Sequence, residues 1–336
     1  MTGEIAKTTM DDLARLAGVS VSTVSRALND APLISARTKQ KIWALAREHG
    51  YPFRQSMASS PIGAEGAVAI VTPFVSGRPL PLSHPFFLEL IAGIGEAARA
   101  RGCDFTVSHV PAASHEDLVR ATTTSRASGV IFLGQAALHT SFNQLSDSGA
   151  RFVVWGAHLP DQQYRSIGSD NFNGGRRATL HLLRLGRRRI VFLGGHDPEA
   201  MQRRRGYLDA HSELGVTSLP EMFGQVEFEL ESAEAAITGM IATRTKFDAV
   251  FASSDLMALG AIRALRLAGL AVPGDVSVIG YDDMLLARLS SPALTTIRQD
   301  TLEAGRLLVS SILDQGAKVG GGFIATDLIV RESCGA

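Results

Sequence analysis

Cysteine is scarce in this chain: there are two in 336 residues, Cys103 and Cys334. They stand far apart, with neither a CxxC pair nor a Cys/His spacing, so they read as two reduced thiols of a cytosolic protein rather than a disulfide or metal site. Long apolar runs are missing as well. Nothing approaches the ~20 residues of a membrane span, and the opening MTGEIAKTTMDD lacks the apolar stretch of a secretory signal. A cytoplasmic protein without a membrane partner is expected. Charge of one sign is also absent: 33 basic and 33 acidic residues give a formal net charge of zero. That argues against a chain coated in nucleic acid but leaves room for one small basic module. Nucleotide and hydrolase signatures are missing too. There is no GxGxxG, no GxxxxGK(S/T), no GxSxG, and no Cys/His or His/Asp constellation suited to a reaction. No enzyme activity, cofactor or metal is expected. What is present is an ordinary globular composition, 45% hydrophobic and 20% charged, on a chain long enough for two or three domains.

The first sixty residues carry three short helical patterns. Thr9 can cap a helix from Met10, with Asp12 three places on as a variant capping box, and Gly18 can end it. Ser20 can cap a second helix, Val21 to Leu28, and Ser35 a third carrying Ile42, Leu45 and Ala46. Two short helices around a tight turn, with a third behind them, form a helix-turn-helix. In VSVSTVSRALND, Val24 and Leu28 point to the other helices, while Ser22, Ser25, Arg26 and Asn29 share the opposite face. That face suits the major groove of DNA, with Arg26 placed for a guanine edge. Thr9, Ser20, Val21, Thr23 and Ser35 join the expected DNA-contacting set, the hydroxyls near helix starts being placed for phosphates. Eight Lys and Arg against five Asp and Glu make this segment the basic part of a neutral chain.

LARLAGVSVSTVSRALN, followed by a third helix ending in HGY, closely resembles the head of the LacI/GalR family of bacterial transcription regulators. The resemblance implies a hinge after the head that wedges a leucine into the minor groove. Here the segment is YPFRQSMASSPIGAEG, with Ser60 and Pro61 where that leucine is expected, so Met57 is the apolar side chain left to wedge. A plain flexible linker is the other reading of the segment. The expected division is a head over residues 1–53, a hinge over 54–65 and an effector and dimerisation domain over 66–336.

From Gly66 onward strands and helices alternate in two rounds, which predicts an α/β fold of parallel sheets in two lobes. AVAIV, GVIFLG, RFVVWG, RRIVFLGG, FDAVFAS and VSVIGYDD are apolar throughout, as strands covered on both faces are. The pattern resembles the two-lobed periplasmic-binding-protein-like fold that the family shares. The landmarks are HPFFLELIAGI, RRRGYLDAH, SSDLMALGAIRAL, VPGDVSVIGYDD, SPALTTIRQD and DLIVRESC. Three crossings between lobes are implied, with the first lobe over about 66–162 and 293–320 and the second over about 163–292 and 321–336. The chain stops after LIVRESCGA, so no tetramerisation helix is expected. A homodimer on a pseudo-palindromic operator is, because one helix-turn-helix grips little DNA.

In such sheets ligands bind beyond the carboxyl ends of the strands. Polar and aromatic residues there are His84 to Phe87, Gln135, Trp155, Asp170, Ser254 and Asp282, with Arg203 near the start of a helix. By resemblance, Arg203 and Asp282 match the family's effector contacts, Phe86 and Phe87 its first-lobe contacts, Phe228 a packing aromatic and Ser254 a polar contact. An arginine fork and a carboxylate can each hold vicinal hydroxyls, and an aromatic face can cover a pyranose. The implied effector is a mono- or disaccharide, and the implied function is repression of carbohydrate genes. The alternatives are a nucleobase-responsive corepressor and, against the head's presence, a transport protein. Asp255 reads as structural, Asp283 as solvated or a helix cap, and Arg187 to Arg189, Arg204 and Arg205 as a charged rim.

Overall fold

Thr9 opens the first helix of a computed structural model that describes residues 8–28, 31, 34–49, 67–75, 78–79, 83–124, 127–135, 137–314 and 322–336. The chain divides into two units, Met1–Gly63 and Ala64–Ala336. Asn29, Met57 and the hinge segment lie outside the described residues.

The first unit holds α1 (Met10–Ala17), α2 (Val21–Leu28) and α3 (Ala36–Glu48). Its capping box is complete: the Thr9 hydroxyl accepts from the Asp12 N–H at 3.3 Å, and the Asp12 carboxylate accepts from the Thr9 N–H at 3.0 Å. Gly18 closes α1 at φ 71°, a left-handed value that suits glycine. The Ser20 and Ser35 hydroxyls accept from the N–H groups of Thr23 and Thr38, both at 3.2 Å, so each caps its helix. Leu13, Val24, Ala27, Ile42 and Ala46 are buried between the helices. Each large side chain there contributes about 1.5–3 kcal/mol by leaving water. The Trp43 indole N–H donates to the Ala27 carbonyl at 3.2 Å, and the Lys41 ammonium to the Ala17 carbonyl at 3.0 Å. The second contact puts a cation on the C-terminus of α1.

The second unit contains two sheets. The first comprises β1 (Val68–Val75), β2 (Arg78–Pro79), β3 (Phe105–Ala112), β4 (Gly129–Leu133), β5 (Phe152–Trp155), β6 (Ser166–Ser169) and β12 (Gly322–Ile324). Its parallel order is β3-β1-β4-β5-β6-β12, with β2 antiparallel on the end of β1. The second comprises β7 (Ile190–Gly194), β8 (Phe223–Gln225), β9 (Ala249–Ala252), β10 (Ser277–Asp282), β11 (Thr295–Gln299) and β13 (Thr326–Ile329). Its order is β8-β7-β9-β10-β11-β13, parallel except for β13. Helices α4 (Pro85–Ala100), α5 (His115–Thr124), α6 (His139–Asp147) and α12 (Thr301–Leu313) cover the first sheet; α7 (Asn171–Arg184), α8 (Pro198–Glu213), α9 (Leu230–Ala242), α10 (Asp255–Leu267) and α11 (Leu285–Leu289) belong to the second lobe. Every residue of β4, β7 and β9 is buried, which is why these strands are unbroken apolar runs.

The ladders move the expected lobe boundaries. Ser166–Ser169 pairs with β5 and closes the first sheet, although RSIGSD reads like the start of the second round. Thr295–Gln299 lies beside β10 in the second sheet, and Gly322–Ile324 returns to β6 in the first. The crossings therefore fall at Asp170, Asp300 and Ala325. Partner strands decide membership, and these strands are too short or too polar to announce their partners.

Within the second lobe, α7 and α8 touch backbone to backbone. A Cβ at Gly206 would lie 2.0 Å from the Phe172 carbonyl oxygen, and one at Gly175 would lie 2.2 Å from that of Arg203. Only glycine permits this approach, which brings the start of α7 against the turn of α8 that carries Arg203.

Candidate functional site

The carboxyl ends of β4, β5 and β6 in one sheet and of β7, β10 and β11 in the other face a common cleft. Its cavity volume is about 110 Å³. Its first-lobe wall is Phe86 and Phe87 from α4, Leu133 and Gln135 after β4, and Trp155 at the end of β5. Its second-lobe wall is Asn171, Asp197, Glu199, Arg203, Phe228, Asp282 and Gln299, with Ser169 at a crossing. Phe86 packs edge-on to Phe87 and tilted against Trp155, with centroids 5.3 and 6.0 Å apart. These rings form an apolar face of the kind that covers a sugar ring or an aromatic base.

The polar wall is held in place from behind. Arg203 is 6% exposed. Its Nε donates to Asn171 Oδ1 at 2.8 Å, its Nη1 donates to the Ser253 carbonyl, and its guanidinium lies 3.6 Å from the centre of the Tyr281 ring. Asp282 accepts from Gln299 Nε2 at 2.6 Å, and Gln299 in turn accepts from the Ser169 hydroxyl. The other Asp282 oxygen, Oδ2, is buried and has no hydrogen-bond partner among the described residues. Asp282 sits at φ 123° and Asp283 at φ 60°, conformations that L-residues rarely adopt and that concentrate at functional sites.

Burial governs the acids here. It pushes Asp282 up to about 7 against the pull of the Arg203 guanidinium. Burial and then the charge of Asp197 push Glu199 to about 7. Asp255, behind the cleft, is held well above the usual carboxylate range by burial and by Asp282. Its oxygens accept from the Met284 N–H at 2.8 Å and from the Thr296 hydroxyl, which gives it the structural role its sequence context indicates.

Of the residues expected to hold the effector, Phe86, Phe87, Gln135, Trp155, Arg203, Phe228 and Asp282 come together on this cleft. Asp170 and Ser254 do not line it. Asp170 caps α7, both oxygens bonded to Asn173, and Ser254 is fully buried and caps α10 through the Met257 N–H at 3.2 Å. A strand end followed by a helix start favours a cap as much as a ligand contact, and the cap prevails at both positions. Asp283 departs from its reading as well, forming an ion pair with Arg331 in which both side chains are largely buried. His84 stacks on Phe228 at 4.4 Å. Burial brings it down to about 4, so its ring is neutral at pH 7, and neither nitrogen has a partner among the described residues. Of the arginines read as a rim, Arg188, Arg189 and Arg205 are exposed, the backbone N–H groups of the first two donating to Asp248, while Arg187 donates to the Pro273 carbonyl at 2.7 Å and Arg204 lies over Phe223. Ser169, Asn171, Asp197, Glu199 and Gln299 escaped sequence reasoning. Gln299 ends a strand in TTIRQD, and Asp197 and Glu199 stand in GGHDPE, a stretch that draws attention for its glycines.

In the head, Val21, Ser22 and Arg26 are exposed, and Thr23 and Ser25 half-exposed, on the side of α2 opposite Val24, Ala27 and Leu28. The Ser20 hydroxyl lies 2.9 Å from that of Ser22 and 2.8 Å from that of Thr23, a polar cluster at the helix start. Thr9 is exposed with its hydroxyl donating to Asp12 at 2.7 Å, and the exposed Ser35 hydroxyl lies 2.8 Å from that of Thr38. Among the described residues there is no His, Cys, Asp and Glu cluster able to hold a metal, and no helix long and apolar enough to cross a membrane.

Two family models match the chain: bacterial regulatory proteins of the lacI family over residues 9–52, and a periplasmic-binding-protein-like domain over residues 179–334. The HTH-type transcriptional regulator CelR of Thermobifida fusca is 31% identical over 336 residues, covering 97% of this chain and 98% of CelR. The repressor CytR of Escherichia coli K12 is 28% identical, covering 97% of this chain and 96% of CytR. Among solved structures, a CelR–cellobiose complex matches with a TM-score of 0.69 at 31% identity, over 97% of this chain and all of that one. The lac repressor dimer bound to operator and the anti-inducer ONPF matches with a TM-score of 0.72 at 26% identity, over 98% of this chain and all of that one.

Proposed function

The chain belongs to the LacI family of bacterial transcriptional regulators, and from that premise we propose that it represses carbohydrate uptake or catabolism genes and leaves its operator when an uncharged mono- or disaccharide binds. The observation that carries this reading is the make-up of the cleft. A fixed arginine fork and a carboxylate with one unpaired buried oxygen face a wall of aromatic rings. A pyranose presents both matching surfaces, hydroxyls on its rim and an apolar ring face. The relative solved with cellobiose supports the same ligand class.

The switch follows from where the ligand touches. Arg203 and Asp282 lie in the second lobe, and Phe86, Phe87 and Trp155 in the first. A sugar bridging them favours one arrangement of the lobes over others, and that differential affinity is what moves the equilibrium. On the DNA side, two heads in a homodimer read the two halves of a pseudo-palindromic operator, Arg26 reading a base and the hydroxyls at the helix starts holding phosphates. Calorimetric titration of the sugar with and without operator tests the scheme. Coupling of about 1–3 kcal/mol is typical and is reciprocal, so operator weakens sugar binding by the same factor by which sugar weakens operator binding. Equal affinities refute the inducer scheme, and a tighter one with operator makes the effector a corepressor.

A further inference from the structure

The end of the cleft around Ala157 is built of hydrogen-bond acceptors. Glu199, from α8 of the second lobe, accepts the Ala157 N–H at 3.2 Å. Gln135, from the first lobe, donates to the carbonyl of the same Ala157 at 2.6 Å and to the Tyr164 hydroxyl at 2.8 Å. The two side chains therefore meet on one residue. A Cβ on Gly156 would lie 2.8 Å from Gln135, so glycine there is what lets the amide lie down. Both donors of Gln135 point away from the cavity. Its Oε1 is buried and has no partner among the described residues, on a side chain only 1% exposed. Asp197 lines the same stretch, one oxygen engaged by the Ala200 N–H at 2.8 Å as the cap of α8. The ionisable groups on the cleft wall are Asp197, Glu199, Asp282 and Arg203. Among the described residues Arg203 is the cation on that wall, held by Asn171 and Ser253, and its charge already acts on Glu199 and Asp282. Acceptors there call for donors from the ligand, and among the described residues three carboxyl groups face one guanidinium on the cleft wall, so a further negative charge adds to an acidic excess.

We propose that this acceptor end selects the effector by charge. It takes O–H donors of an uncharged sugar and turns away sugars that carry a carboxylate or phosphate, with Glu199 as the discriminating residue. The inference rests on the sugar-effector reading and adds to it the residue that enforces the choice of an uncharged sugar. Burial and Asp197 already oppose the charge on Glu199, so the comparison belongs at pH 8, where Glu199 is ionised and cannot offer a proton to an acid sugar.

The test uses the full-length protein and thermal-shift and calorimetric titrations with cellobiose, glucose and galactose, and with glucuronate, galacturonate and glucose 6-phosphate. The parent is expected to bind at least one neutral sugar and none of the acids. Glu199→Gln keeps a carbonyl for the Ala157 N–H and removes the charge. It is expected to raise the affinity for the matching uronate or phosphate, relative to that for the neutral sugar, by tenfold or more, the scale of a like charge removed at close range. Asp282→Asn is the comparison variant. Rescue of the acid sugar by Asp282→Asn alone moves the discrimination to the other end of the cleft and overturns the assignment to Glu199. A parent that binds uronate as tightly as its neutral counterpart overturns charge selection while the sugar reading stands. Stabilisation by a nucleoside or nucleobase and by none of the six sugars removes the sugar reading, and the proposal with it.

Discussion

Replacing Gly206 with alanine tests whether the contact between α7 and α8 sets the geometry of the cleft. The new methyl would lie 2.0 Å from the Phe172 carbonyl oxygen and 2.6 Å from the Arg176 nitrogen, both backbone atoms that no rotamer can move aside. A carbon–oxygen contact is comfortable from about 3.3 Å, so the helices must part or slide by about 1.3 Å. Overpacking of this kind costs roughly 1–3 kcal/mol. For a unit of this size each kcal/mol lowers the melting temperature by about 2–4 °C, so a fall of roughly 2–12 °C is expected. The same shift separates Arg203, one turn before Gly206, from Asn171, beside Phe172. Their bond is 2.8 Å long and does not survive an extra ångström. A hydrogen bond to a charged group contributes about 1.5–3 kcal/mol, so sugar affinity is expected to fall by about tenfold or more.

Gly239→Ala is the matched control. Gly239 is exposed within α9, and a Cβ there meets nothing within 4 Å. Alanine at such a site stabilises by about 0.4–1 kcal/mol through the unfolded chain. Differential scanning calorimetry and sugar titration on both variants give the comparison. If Gly206→Ala melts and binds like Gly239→Ala, the close contact does not set the site and the reasoning fails.

Arg26→Ala is expected to weaken operator binding by about 1–3 kcal/mol and relax sequence preference, measured against a randomised duplex; equal loss on both would remove Arg26 from base reading. Ser254→Ala is expected to lower stability by about 1 kcal/mol through the lost cap on α10 while leaving the sugar Kd unchanged, because its hydroxyl serves Met257. Asp282 carries a pH signature. Its folded carboxyl titrates near 7 and its unfolded one near 3.8, so between those values the folded state holds the extra proton and stability falls as pH rises. His84, lowered to about 4, acts in the opposite sense between 4 and 6.5. The clean readout is therefore the melting temperature of Asp282→Asn minus that of the parent, which is expected to grow from pH 5 to pH 8; a flat difference would place the ionisation elsewhere.

The head was legible almost in full, because caps, stripe and turn are local. Thr9, Ser20 and Ser35 cap their helices, and Val24 and Leu28 face inward. The long buried strands were legible for a similar reason, since an unbroken apolar run such as IVFLG needs cover on both faces. The crossings were harder. SIGS and GFI carry no hydrophobic signature of their own, and only their ladders to β5 and β6 tell which sheet they join. In the cleft, side chains with one dominant chemistry were found: Arg203, Asp282 and the aromatics. Gln299 and Asn171 were missed because they act through those residues, one bonded to Asp282 and the other to Arg203. Such partnerships leave no spacing in the sequence.

Hydrogen bonds of the protein itself tie the lobes to each other. Glu89 in α4 accepts the Leu285 N–H at 3.0 Å, Glu199 accepts that of Ala157, Gln202 donates to the His158 carbonyl at 2.9 Å, and the Ser169 hydroxyl donates to Gln299. Each such bond contributes about 0.5–1.5 kcal/mol, so the approach of the lobes has its own support. An effector therefore gains no leverage by remaking these contacts. Its leverage lies in atoms that the closed cleft buries and leaves without partners among the described residues, Asp282 Oδ2 and Gln135 Oε1. A buried polar atom left unsatisfied costs about 1–3 kcal/mol, the scale of a typical allosteric coupling. On the proposed scheme a ligand whose donors reach these atoms relieves that cost, whereas an arrangement that opens the cleft to water has no such cost to relieve. On the same scheme, a ligand that donates at both ends of the cavity shifts the lobes more than one that reaches a single end.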